Sequence, residues 1–488
     1  MIPLMIAWLV SSDTARAMNP PPDGGYPGGN TAEGDLALGS LSTGFYNNAV
    51  GIYALLSLTT GSYNTADGAG ALFSNTADEN TATGAGALFG NTTGNFNTAD
   101  GTFALFSNIT GHGNTAVGRE ALFNNTTGSS NTAIGAGALD LNIGDNNTAT
   151  GLGALGLNTI GTNNTANGGD ALASNTDGQN NTATGAFALL NNTTAGDNTA
   201  NGFQALASNT SGLHNTALGS EALFTNATSD DNTAVGFQAL YNTTAGGVNT
   251  ALGSGALFNN TTGGANVAIG YGALSHNIGG GGNIALGANA GKFVTNANSV
   301  IVIGAPGANV SSSCFIGNIF GLTPVGQATP VVIDSNGQLG TSSSSVRFKN
   351  DIAMMGNASE AILALKPVTF HYKSDQTRTP QFGLIAEEVA KINPDLVIRD
   401  AKGELYTVRY DAVNAMLLNE FLKEHHKVEK QEVTIGQLRM TLAQQQKDFQ
   451  ATVEQLTRRL DEQAAQIQKV SAHVGLSKSA PQTVLNTR

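Results

Sequence analysis

From Asn30 the chain repeats one phrase sixteen times, N-T-A-x-G-x-x-A-L followed by an Asn/Thr/Gly connector, and nothing else so narrows what it can fold into. Units open at Asn30, Asn47, Asn64, Asn80, Asn97, Asn114, Asn131, Asn147, Asn164, Asn181, Asn198, Asn215, Asn232, Asn249, Asn266 and Asn283, so starts differ by seventeen residues, or twice by sixteen. A period this short excludes helical repeats, which need about thirty-three residues or more for a helix pair. One turn of extended chain per repeat fits, so the spacing predicts a mainly β fold, a β-solenoid or β-roll of sixteen coils over residues 30–304.

A single unit is too small to bury a face, and only the next turn stacked on it completes a core and its backbone hydrogen bonds. Ala at the third and eighth positions and Leu at the ninth, as in Ala66, Ala71 and Leu72, recur in phase and predict columns of identical side chains in a thin interior. Gly at the fifth position (Gly68, Gly84, Gly118) marks a turn too sharp for a Cβ or a close backbone approach. Asn at the first position would form an amide ladder. No Pro occurs between Gly28 and Ala305, as an uninterrupted ladder requires. Sixteen turns at about 4.8 Å give a rod on the order of 75–80 Å.

Charge is sparse and unevenly divided. Only 12% of residues are charged, and from Met18 to Gly340 there are 17 Asp/Glu against two bases, Arg119 and Lys292, a net of −15. Such a rod cannot neutralise phosphates, which argues against nucleic-acid binding through it, and its field disfavours anionic lipid surfaces. Residues 341–488 hold 17 acids and 19 bases, a net of +2. Cys314 is the only cysteine, so there is neither a disulfide framework nor a Cys-rich zinc site, and it is expected to be a small apolar plug.

MIPLMIAWLV is a ten-residue apolar run followed by Ala15-Arg16-Ala17, a small-x-small cleavage pattern, so residues 1–17 read as a secretion signal too short to span a bilayer comfortably. No Lys or Arg precedes the run. Residues 18–29, with Pro20, Pro21, Pro22 and Pro27, form a stiff lead-in. Past the repeats, NSVIVIG from Asn298 reads as a terminal turn. CFIGNIFGLTP and VVIDSNGQLGT alternate apolar and polar residues about Gly and Asn-Gly signals, predicting short strands and hairpins in a neck over 305–343.

After this neck, SSVRFK (Ser344 to Lys349), Ile352, VTFHYK (Val368 to Lys373), FGLIAEEV (Phe382 to Val389), Pro394 and VRYDAVNAMLLNEF (Val408 to Phe421) occur in order. Together they resemble the C-terminal intramolecular chaperone of phage tail spikes and endosialidases, an autoprocessing serine peptidase domain also found in tail-fibre-like proteins; residues 344–424 are assigned to it. The Asn-led coils look like the head repeats of trimeric autotransporter adhesins, with longer turns. The resemblance to the chaperone family implies a Ser-Lys dyad that cuts just before the Ser of a Ser-Asp-x-Arg-x-Lys signature. Carried over, Ser344 is the nucleophile, Lys349 the general base and Arg347 the signature Arg, with the cut between Ser343 and Ser344. Ser345 stands where the family has Asp.

A lysine accepts a proton from a serine only when neutral, which calls for burial or nearby positive charge such as Arg347. Residues five apart on a helix point about 140° apart, so a turn or a neighbouring subunit must bring Ser344 and Lys349 together. Between Phe382 and Phe421 the pattern predicts a compact α+β unit, with a helix opening at Gly383, striped by Leu384, Ile385 and Val389 and ended by Pro394, and a second helix from near Asp411. Ile435, Leu438, Leu442, Phe449, Val453, Leu456, Leu460, Ile467 and Val470 then space as a coiled coil over 425–472, with one stutter and with Gln445 and Gln463 in core positions. The resemblance implies a homotrimer. A disordered tail is expected over 473–488, and His425 and His426 are expected to be solvated.

Other chemistry is missing from the sequence. HExxH, P-loop and GxSxG patterns are absent, as is the GGxGxD calcium nonapeptide. His112, His214 and His276 lie in connectors without Cys or Asp at metal-ligand spacing, so no cofactor and no metal are expected. The paired acids Asp78-Glu79 and Asp230-Asp231 are isolated, and aromatic sugar platforms are scarce beside them. The reading is a secreted or surface-displayed trimeric fibre, adhesin-like or tail-fibre-like, with a virion-like fibre as one form. Its chaperone domain would make one autoproteolytic turnover and act on no external substrate, and a cell-surface glycan or protein would be the receptor. The alternative is a solenoid that binds a ligand, ice or glycan through Thr arrays such as Thr65, Thr98 and Thr115, carrying an uncleaved trimerisation domain.

Overall fold

Each Thr-Ala-x triplet becomes a three-residue strand, because the Ala side chain can enter a narrow interior while its neighbours face outward. The computed structural model describes residues 26–320, 328–334, 337–400 and 402–476. The signal segment and most of the lead-in lie outside the described residues. The chain divides into two compact units, Met1–Thr323 and Pro324–Arg488.

In the first unit the described residues form an 18-stranded sheet, β1 (Thr31–Glu33) through β18 (Cys314–Ile316), in which each strand pairs in parallel and in register with the next. The sixteen-residue turns keep this register, Thr65 opposite Thr81 and Thr132 opposite Thr148, because the missing residue comes out of the connector. The mainly β solenoid expected from the period is present. Its ladder does not stop at residue 304. Asn298 opens a turn whose strand β17 (Ile301–Ile303) pairs on to Cys314–Ile316, the segment assigned to the neck. Cys314 faces outward and is exposed, so it is not an apolar plug.

The core is two columns of Ala and one of Leu, with Ala66, Ala71 and Leu72 fully buried like their counterparts in other turns. The leucines are left-handed, with φ of +53° at Leu72 and +51° at Leu88. That conformation costs an L-residue about 1–2 kcal/mol, offset by the roughly 1.5–3 kcal/mol gained when a leucine side chain leaves water. The backbone is tied turn to turn throughout, Thr65 N to Asn80 O at 2.8 Å and Leu72 N to Ala87 O at 3.0 Å. Gly68 needs to be glycine twice over, since its φ is +146° and a Cβ would sit 2.5 Å from the Gly84 carbonyl oxygen one turn on.

Asparagine closes nearly every coil. The backbone N–H of Asn97 donates to Asn80 Oδ1 at 3.0 Å, linking turns, while Asn97 Nδ2 donates to Gly111 O at 2.9 Å, tying the turn's start to its end. A second ladder, not expected from the sequence, runs through the twelfth position. Asn108 Nδ2 donates to Asn91 Oδ1 at 2.6 Å and to the same Gly111 O at 2.9 Å. Apolar residues, Leu58 and Val294, occupy this position in the second and last repeat units. Thr243 interrupts the ladder. The buried side-chain atoms without a partner among the described residues gather there: Asn226 Oδ1, Ser229 Oγ, Asn232 Nδ2 and Thr243 Oγ1.

In the second unit, β19 (Val331–Ile333) and β20 (Leu339–Thr341) form an antiparallel hairpin, followed by 3-10 turns at Val346–Phe348 and Gly356–Ala364. A further hairpin pairs β21 (Val368–Phe370) with β22 (Gln381–Gly383). Helix α1 (Ala386–Ile392) leads through a 3-10 turn at Pro394–Leu396 to β23 (Val397–Arg399) and β24 (Leu405–Val408), then helix α2 (Tyr410–Leu476). Gly383 therefore ends a strand instead of opening a helix. A Cβ there would lie 2.7 Å from the Tyr410 hydroxyl and 3.2 Å from the Phe370 ring. Val389, Leu396, Val408 and Met416 form the small core, with Leu384 packed against it. Residues 473–476, expected to begin the tail, continue α2; residues 477–488 lie outside the described set.

Three substitutions test the ladder. Gly68→Ala is expected to destabilise the solenoid by about 2 kcal/mol or more, by backbone clash and left-handed strain together. Gly137→Ala, at φ +66° with nothing within 4 Å of the added Cβ, is expected to cost only about 1 kcal/mol. Equal shifts in calorimetric melting would contradict the close-approach account. Thr243→Asn, which restores the missing amide, is expected to raise stability by about 1 kcal/mol or more, seen as a higher unfolding midpoint.

Candidate functional site

Ser342 to Ser345 follow β20, and Ser345 is extended, with φ −66° and ψ 140°. The single 3-10 turn at Val346–Phe348 then reverses the path, with Phe348 N donating to Ser345 O at 3.0 Å and Lys349 N to Val346 O at 3.1 Å. This reversal lets side chains five residues apart meet, which a helix forbids. Lys349 Nζ donates to Ser344 Oγ at 3.1 Å. Of the two routes open in the sequence, the turn operates within one chain.

Arg347 turns onto its neighbour, with its guanidinium 4.6 Å from the centre of the Phe348 ring. Ser344 and Lys349 are both exposed, and Val346, Phe348 and Ile352 beside them are apolar and open to water. The pair thus has hydrogen-bond geometry in a single chain but lacks the desolvation that frees a lysine to act as a base.

Further along the chain lies a polar cluster that motif reading missed. Ser359 is fully buried; its Oγ donates to Glu420 Oε1 and accepts from Asn419 Nδ2 at 2.7 Å, while Lys423 Nζ bonds Glu420 at 2.7 Å and pairs with Glu360 at 3.5 Å. The hydrogen bond from Lys423, and then that from Ser359, hold the Glu420 carboxyl below the ordinary glutamate range. These bonds fasten the 3-10 segment Gly356–Ala364 onto α2, from partners about sixty residues apart, a separation without a sequence signal. In the β21–β22 loop, Asp375 accepts from Thr377 Oγ1 and N and from Thr379 N, and these bonds, that of the Thr377 hydroxyl foremost, lower its pKa to about 2.

The remaining candidates in the solenoid have structural partners. Asp78 and Asp230, one from each acidic pair, accept the backbone N–H of Ser62 and Leu213 in the preceding turn, each at 2.7 Å. Stacking brings acids to His214 that the sequence does not: Asp231 at 3.4 Å and Asp197 at 4.0 Å, all exposed. Among the described residues, no group of three or more His, Cys, Asp or Glu is arranged to hold a metal ion. The aromatic rings Phe73, Phe89, Phe106 and Phe123 form a column with centroids 4.7 to 5.2 Å apart and planes nearly parallel, so their faces cover one another and are not free for a sugar. His425 and His426 are exposed and both pair with Glu429.

Residues 344–398 match the family model Peptidase_S74, the chaperone of endosialidase, so the chain carries this C-terminal chaperone domain. No curated protein and no solved structure matches the chain. A parallel solenoid followed by such a domain fits a fibre-like protein with its own intramolecular chaperone. The family suggests an extracellular or virion fibre, and no described helix is long and apolar enough to cross a membrane.

Acid tests the loop carboxylate. Because the folded pKa of Asp375 lies near 2, below its ordinary 3.8, the stability it contributes is fully present above pH 4 and is lost as pH falls through 2. A carboxyl NMR titration should place the midpoint near 2 in the wild type and higher in Thr377→Val; a wild-type midpoint at the ordinary value would contradict the hydrogen-bonded loop.

Proposed function

We propose that this chain is one subunit of a surface or virion homotrimeric fibre, adhesin-like or tail-fibre-like, whose domain at residues 344–424 guides assembly and then cuts itself free between Ser343 and Ser344. The observation that carries the reading is the Lys349–Ser344 hydrogen bond at 3.1 Å, formed where the family match begins.

Lys349, once neutral, takes the proton from Ser344 Oγ as that oxygen attacks the Ser343 carbonyl carbon. The Ser343–Ser344 C–N bond breaks, the Ser344 amine leaves protonated, and the acyl group rests as an ester on Ser344 Oγ. Water then hydrolyses the ester, leaving a carboxylate on Ser343 and restoring the Ser344 hydroxyl. The reaction occurs once, in cis. Activation waits on assembly, because both side chains are in water in one chain and a neighbouring subunit supplies the cover that neutralises Lys349. Helix α2 provides the means of association: Leu438, Leu442, Phe449, Leu456 and Leu460 are all exposed along it and form the seam of a coiled coil.

The ligand-binding alternative leans on the in-register column of Thr65, Thr98 and Thr115. The next outward column is mixed, with Asp67, Asp100 and Val117 in those same strands. A lattice-matching surface calls for uniformity in both columns, so the fibre reading is preferred.

On a denaturing gel with intact mass, the wild type is expected to yield a fragment beginning at Ser344. Ser344→Ala and Lys349→Ala are expected to stay full length, with processing slowed by at least two orders of magnitude. An uncut wild type in a folded trimer would refute the autoprocessing step.

A further inference from the structure

The outward face of the solenoid sheet changes character along the chain. Strands β1, β3 and β5 carry Glu33, Asp67 and Asp100 in their second outward column. From β6 (Thr115–Val117) onward no strand of this sheet carries a charge, and β15 (Val267–Ile269) through β17 are aliphatic in both outward columns, followed in β18 by Cys314 and Ile316. Ile284 and Leu286 lie opposite Ile301 and Ile303, which lie opposite Cys314 and Ile316. These side chains are 40–47% exposed where they are aliphatic. Strands about 4.8 Å apart in register make them one flat patch. With Ile269 it amounts to roughly 400–600 Å², at the upper limit of what a monomer exposes and more than half of the about 800 Å² that each partner gives to a standard interface.

We propose that this face is where copies of the chain pack rod against rod, over the last turns of the solenoid; the inference rests on the homotrimer proposed above. Three observations choose a second copy as the occupant. Residues 18–340 carry 17 acids and two bases, so two rods repel except along strands without charge. Two aliphatic columns recurring once per turn match a partner only if it repeats with the same rise, which another copy does by construction. The patch also has the size that association of subunits requires. Upstream turns, with Thr or Asn in the first outward column, stay in water.

Cys314, the only cysteine, is the probe. It lies in the first outward column opposite Ile301 and is exposed in one chain. Thiol labelling of the full-length protein is followed beside its native mass. The wild-type assembly is expected to label at least ten-fold more slowly than the urea-unfolded chain. Ile284→Asp with Ile301→Asp is expected to restore fast labelling. So is Ile284→Thr with Ile301→Thr, which installs the residue that Thr250 and Thr233 supply at this position upstream and keeps folding intact. A trimer in which Cys314 labels within two-fold of the unfolded rate, or variants that stay protected, would overturn the rod-to-rod contact alone. A monomeric wild type would overturn it together with the trimer.

Discussion

In most turns one backbone carbonyl, exemplified by Gly111 O, receives hydrogen bonds from two asparagine amides, Asn97 at the start of its coil and Asn108 eleven residues on. The remaining regularity of the solenoid depends on that closure. Both lone pairs of a buried oxygen are satisfied, so the connector returns to the same point in every turn and delivers the next Thr-Ala-x strand in register. The interior is too thin to provide this by packing, being columns of Ala and Leu. The left-handed leucines are tolerable because closure fixes the backbone and burial offsets the strain. Thr243 shows the dependence by exception: one missing amide leaves orphaned atoms in two adjoining turns.

The sequence makes the columns legible and much of the geometry not. Ala66, Ala71, Leu72 and Gly68 declare their roles by phase, since a solenoid turns period directly into contact. The second ladder had a signal, Asn75, Asn91, Asn108 and Asn125 at the repeat spacing, hidden by connectors whose composition is Asn-rich throughout. The left-handed leucines had none, because intrinsic preference points the other way and tertiary closure decides. Cys314–Ile316 lacks the Asn-Thr-Ala phrase, so only the pairing identifies it as ladder. In the second unit the candidate dyad was named by motif, but its meeting depends on a three-residue turn that no periodicity announces. Ser359, Asn419 and Glu420 come together across some sixty residues with no signal at all.

The two units differ in how far one chain completes them. Each solenoid turn finds its hydrogen-bond partners in its neighbours. The second unit has a core of four buried residues, while Phe382, Tyr406, Leu417 and Phe421 remain exposed, as does the apolar row of α2. If the domain guides assembly and then leaves, as proposed, it has reason to be unfinished alone, since its stability would come from the association that it promotes. The proposed dyad, hydrogen-bonded yet open to water, fits the same economy of parts.

The sixteen-residue turns after Asn64 and Asn131 lose a residue from the connector and keep the strands opposed. A coil is thus defined by the register of its strand and not by its length, and it touches only the coils on either side. Whole repeats are interchangeable modules. Gaining or losing a whole unit would lengthen or shorten the solenoid by about 4.8 Å without disturbing any other joint, so its length is heritable independently of its fold.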